Sequence, residues 1–180
     1  MSARKKLPIG IQTFREIREG GYYYVDKTGF ALRLIDEGTH YFLSRPRRFG
    51  KSLFLDTLAE LFAGSEALFA GLEAQARWDW SRRYPVVRLS FGGGVVQSAE
   101  ELDAKISDLL TDNERDLGSA DEAATLSGRF RHLLRQAHEQ SGERVVVLVD
   151  EYDKPILDNI TRPEAAREIR DGLRNLYSVI

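Results

Sequence analysis

Two short segments carry side chains whose types and spacing could do chemistry. In Arg45-Pro-Arg-Arg-Phe-Gly-Lys-Ser52 the triplet Gly50-Lys51-Ser52 lies between a β-prone stretch and a helical one. Glycine lets an anion approach the backbone, a helix N-terminus offers unpaired amides, lysine neutralises phosphate charge, and a serine hydroxyl can ligate magnesium. The second segment is Val145-Val-Val-Leu-Val-Asp-Glu151, an apolar run ending in two acids. There Asp150 can hold a divalent cation and Glu151 can orient or deprotonate an attacking water. Chance alone gives a Gly-Lys-Ser/Thr triplet about 0.05 times and the apolar run with two acids about 0.06 times, a joint chance of about 0.3%. Together they point to a nucleoside triphosphate held with Mg2+.

Each segment also has a plainer reading. A full phosphate-loop pattern wants an earlier glycine with four residues between it and Gly50, and Arg45 stands there. Pro46 pushes Arg45 towards extended backbone, so the start of the loop cannot copy a turn needing positive φ. Arg47 and Arg48 add charge beside Lys51 for phosphate, or else face solvent. Asp150 and Glu151 could simply cap the turn after a strand. Asp153 and Lys154 read as an ion pair or turn.

The elements that must position these residues follow from periodicity. Gly21–Asp26 and His40–Ser44 are β-prone. Thr28 falls at a helix N-cap before Phe30, Leu34 and Ile35, and Gly38 ends that helix. Leu53, Phe54, Leu58, Leu61 and Phe62 predict a largely buried helix from about Gly50. Pro85–Phe91 is a strand stopped by Gly92, Gly93 and Gly94. Ala99–Asp112 and the segment around Leu126–Ala137 are amphipathic helices. The acids from Ser98 to Glu122, which include Glu114, Asp121 and Glu122, read as a solvated helix face and loop. Val145–Val149 has the composition of a strand covered on both faces, and a last helix follows Pro163. Strands alternating with helices give an α/β fold with a mainly parallel sheet and flanking helices.

Composition bounds the rest. The 180 residues are 42% hydrophobic and 30% charged, enough for one globular domain, expected over residues 7–180 after a disordered basic tail at 1–6. A net charge of −2 supplies no global field for nucleic acid or an anionic membrane, so neither is an expected partner. The absence of cysteine excludes disulfides and thiolate chemistry, and three scattered histidines argue against a metal cage. Without a long apolar run or a signal-peptide apolar stretch, the expected address is the cytoplasm.

Phe14-Arg-Glu-Ile, Tyr23-Tyr-Val-Asp-Lys-Thr28, Arg45 to Ser52 with Leu53–Leu58, Tyr84-Pro-Val-Val and Asp150-Glu-Tyr-Asp-Lys-Pro155 occur in the order found in the AAA-ATPase-like family, which this sequence resembles from about residue 7 to residue 180. In that family the arginine-rich form of the loop is usual, so Arg45 is no departure there. The resemblance implies a P-loop NTPase-like fold binding ATP and Mg2+. It assigns phosphate contacts to Arg48, Phe49, Gly50, Lys51 and Leu53, magnesium ligation to Ser52 and Asp150, and catalysis to Glu151 with Lys51. Tyr24–Thr28 would flank the base. It also implies that the sheet stops before a sensor strand, with later arginines and a PD-(D/E)XK nuclease-like domain lying beyond Ile180. Asp103-Ala-Lys105 has the nuclease spacing but lies in a helical stretch. The competing expectation is a nucleotide-binding or protein-interaction fragment without turnover, self-associating through an uncovered C-terminal helix face.

Overall fold

The computed structural model describes residues 5–46, 48–119 and 123–180. Most of the expected basic tail, Arg47, and the acids Asp121 and Glu122 lie outside the described residues. The chain divides into two compact units, Met1–Tyr84 and Pro85–Ile180.

The first unit is helical. α1 (Phe14–Glu19) is too short to show an apolar period, and it is fixed from a distance: the Asp56 carboxylate accepts from Phe14 N at 2.6 Å, at the end where no side chain of α1 caps. Phe14 and Ile17 are fully buried, with the Phe14 ring 5.0 Å from Tyr24 and 4.9 Å from Phe69. An aromatic buried to this extent contributes about 1.5–3 kcal/mol. α2 (Thr28–Glu37) starts one residue earlier than a Thr28 N-cap requires. Asp26 does the capping instead, accepting from both the amide and the hydroxyl of Thr28. α3 (Lys51–Phe62) buries Phe54, Thr57, Leu58 and Leu61, as its apolar residues predict. Two 3₁₀ turns follow at Glu66–Phe69 and Glu73–Ala76.

The two strands expected in this unit are absent among its described residues. Residues 22–27 and 40–46 have irregular backbone. A strand exists only where a neighbouring backbone takes its amides and carbonyls. Among the described residues the strand ladder joins Val86–Ser90 to Val146–Asp150 and does not include residues 40–44, and Phe42 is 70% exposed. Tyr23 N donates to Lys6 O, an isolated bond and not a ladder.

The second unit carries the sheet. β1 (Val86–Ser90) and β2 (Val146–Asp150) pair in parallel, Val86 opposite Val146 through Ser90 opposite Asp150. The crossover holds α4 (Ala99–Leu117) and α5 (Leu126–Ser141). α4 begins where Ser98 Oγ accepts from Glu101 N and Glu101 returns to Gln97 N, and it ends at Gly118 in left-handed backbone. α5 is capped in the same manner by Thr125 and ended by Gly142. A short α6 (Lys154–Leu157) and α7 (Pro163–Tyr177) follow. The core joins Val87, Leu89 and Phe91 to Leu102, Ile106, Leu110, Phe130, Leu133, Ile169, Leu173 and Leu176. α7 comes close to α4 at Gly172, where a Cβ would stand 3.0 Å from Leu102 Cδ2.

Two details differ from the sequence reading. β2 is only partly buried along its whole length, because the apolar cover is concentrated on the face that carries Val87 and Leu89. Within the acidic run Glu114 is buried and paired with Arg129 at 2.6 Å, and neighbouring Asn113 is buried too. The apolar stripe of α7 buries Ile169, Leu173 and Leu176 inside its own unit. Ile180 alone of that stripe stays half exposed.

Asn113 has a specific task. Its Oδ1 accepts from Arg88 N at 2.8 Å and its Nδ2 donates to Arg88 O at 2.9 Å, so one side chain takes both backbone groups at the middle of β1. Pro85 O and Phe91 N, at odd positions, serve the β2 side. The even position Arg88 therefore faces the outer edge, and Asn113 occupies that edge at its middle.

Candidate functional site

The phosphate-side residues gather where the loop turns into α3. Gly50 occupies the N-cap position in left-handed backbone, φ +72°, and a Cβ there would meet no atom within 4 Å. The glycine is thus needed for its φ and leaves open space above the helix end. No side chain caps α3. The first amides of α3, which have no intrahelical acceptor, thus remain directed at that space. Lys51 folds its ammonium back across the loop and donates to Arg45 O at 3.0 Å. This holds a positive charge against the start of the loop that leads into α3. Arg48 adopts φ +67°, a conformation costly for a side-chain-bearing residue, and Phe49 is 62% exposed. Ser52 and Leu53 occupy the first turn of α3, both partly buried.

The Tyr24–Thr28 segment is occupied with packing. Tyr24 shares a hydrogen bond with Thr57 at 3.3 Å, Asp26 also accepts from Glu73 N at 2.8 Å, and Thr28 Oγ1 accepts from Ala74 N at 3.0 Å. Burial alone would raise the Asp26 carboxyl, but the hydroxyl and amide of Thr28 and the amide of Glu73 outweigh it and hold the group below its usual range.

The acidic residues gather at the C-terminal end of β2. Asp150 is the last strand residue; its O accepts from Phe91 N at 3.1 Å and its Oδ1 from Glu151 N at 3.0 Å. Glu151 turns sharply, with φ +50°, and its side chain is exposed. Arg48 and Glu151 are the two non-glycine residues at positive φ among those described, one in each motif. Strained backbone of this kind concentrates at functional positions. Sequence reading had no signal for it, since nothing in either residue type favours that conformation.

The donor set can be tested against magnesium. Among the described residues no cluster of three or more His, Cys, Asp or Glu could hold a metal. Magnesium does not need such a cage: one carboxylate and one hydroxyl, with waters and phosphate oxygens, suit its octahedral oxygen coordination. Ser52 and Asp150 are residues of that chemistry.

A family model described as predicted AAA-ATPase matches residues 8–180. A curated protein of Azotobacter chroococcum mcd 1, described as "Uncharacterized protein in vnfD 5'region", is 74% identical over 179 residues, covering 99% of this chain and 35% of that protein. The chain thus spans about a third of that relative's length. No solved structure matches it. Among the described residues no helix is long and apolar enough to cross a membrane.

Proposed function

Because the chain belongs to the predicted AAA-ATPase family, we propose that it binds ATP and hydrolyses it to ADP and phosphate with Mg2+. The observation that carries this reading is the loop before α3: Lys51 Nζ held over a left-handed Gly50 at an uncapped helix N-terminus. In the proposal the backbone of Arg48, Phe49, Gly50, Lys51 and Leu53 cradles the phosphates, and the Lys51 ammonium leaves Arg45 O to neutralise their charge. Ser52 Oγ and an Asp150 carboxylate oxygen are the proposed Mg2+ ligands; the ion, when bound, neutralises charge on the phosphate oxygens. Glu151 orients a water and accepts its proton as the oxygen attacks the γ-phosphorus and ADP leaves.

The test is phosphate release and nucleotide affinity for the natural chain, Lys51→Ala and Glu151→Gln. The expected result is weak ATP binding in Lys51→Ala, and retained binding with lost turnover in Glu151→Gln. Lys51→Ala binding ATP as the parent does would remove the site assignment. Binding without turnover, with Glu151→Gln unchanged, would leave a nucleotide-binding module. Self-association is a second proposal, now motivated by the edge of β2, which among the described strands pairs with β1 alone. Light scattering checks it, and a monomer at all concentrations counts against it.

A further inference from the structure

Glu151 does not stand free at the end of β2. A Cβ built on Gly92 would lie 3.1 Å from its Oε2, 3.2 Å from its Cδ and 3.4 Å from its Oε1. One face of the carboxylate therefore rests against the glycine Cα, while the exposed side chain leaves the other face to solvent. The two shorter separations are tighter than nearly all side-chain contacts, so a larger residue at position 92 would make the carboxylate give by a few tenths of an ångström.

The support beneath it is fixed from three directions. Phe91 N continues the ladder to Asp150 O at 3.1 Å, which holds the segment just before Gly92. Lys154 Nζ donates to Gly94 O at 2.6 Å, just after it. Asn159, fully buried, donates to Val96 O at 2.6 Å and to Pro155 O at 2.8 Å, with Arg162 donating to its Oδ1. The segment 91–96 is thereby tied to the turn that follows Glu151 itself. Glycine at 92 is not explained by backbone conformation, since its φ lies outside the left-handed range that Gly94 occupies. Its missing side chain is what the arrangement uses.

We propose that Gly92 is a positioning residue: its bare Cα, held in place by Lys154 and Asn159, sets where the Glu151 carboxylate stands. The proposal rests on the hydrolysis reading for its consequence and on geometry alone for the contact. Since a displacement of about 1 Å at a reacting group costs on the order of 100-fold in rate, a shift of about half that at a group that must meet one water costs on the order of 10-fold.

The experiment is steady-state ATP hydrolysis for the parent, Gly92→Ala, Gly93→Ala and Lys154→Met, with the alanine at 92 repeated in a Glu151→Gln background. Gly93 is the control, since a Cβ there finds only ordinary contact, 3.5 Å from Lys105 Nζ. Gly92→Ala is expected to lower kcat at least about 10-fold with KM and nucleotide Kd within about twofold. Lys154→Met should lower kcat in the same direction, Gly93→Ala should match the parent, and the loss at 92 should vanish once Glu151 is Gln. Parental kcat in Gly92→Ala, an equal loss in Gly93→Ala, or an undiminished loss in the Glu151→Gln background overturns the proposal. A parent without turnover would sink the hydrolysis reading alone. Nuclear Overhauser contacts between Gly92 Hα and Glu151 Hγ then decide the positioning, their presence supporting it and their absence overturning it.

Discussion

The loop before α3 and the end of β2 each hold a non-glycine residue at positive φ, yet they are built in opposite ways. Around Gly50 there is open space, an exposed Phe49 and one lysine bond to Arg45 O. Around Glu151 the carboxylate lies on Gly92, and the neighbouring loop is tied by Phe91, Lys154 and Asn159. A loop meant to close on phosphate can leave its amides to be satisfied by the ligand. A carboxylate that must meet one water has no ligand to order it, so the protein must fix it beforehand.

The largest way to break this contrast is Asn159→Ala. It removes a fully buried amide and orphans two carbonyls, so the second unit should lose about 2–4 kcal/mol in chemical denaturation. If stability is unchanged, the bracing is illusory. Next comes Lys51→Ala, which should weaken ATP binding by about 2 kcal/mol, roughly 30-fold in Kd by calorimetry, while stability moves by less than about 0.5 kcal/mol. A large loss of stability would mean the loop is built for the fold after all. A smaller effect is expected from Arg48→Gly, which relieves the positive φ and should raise stability by about 0.5–1 kcal/mol in the same assay while loosening nucleotide binding.

The smallest effect concerns pH. With its carboxyl held below the ordinary 3.8, Asp26 stabilises the first unit above that value, and the contribution fades as pH falls through the lower folded value. Asp26→Asn should therefore flatten the acid limb of that unit's stability curve, read by fluorescence of Trp78 and Trp80.

How much of this was legible in the sequence follows from how local each cause is. α4 and α5 announce themselves through their apolar period and α7 through Pro163 as well, because such signals act within a few turns. α1 was missed because its partner, Asp56, is 42 residues away. His40–Ser44 reads as strongly β-prone as Val145–Val149, but among the described residues only the latter segment enters a strand ladder. Asn113 and Glu114 hide in a run of acids whose average says water, since burial there depends on Arg88 and Arg129. The candidate site residues were proposed from their types and spacing. The conformation of Glu151 and its rest on Gly92 were not, because both depend on packing that no short-range pattern encodes.

Asn113 also protects an edge. By taking both backbone groups of Arg88 it occupies the middle of the outer side of β1. A strand arriving there would have to displace a buried amide before it could pair, so a single residue in a helix of acids guards the centre of that strand against intermolecular pairing.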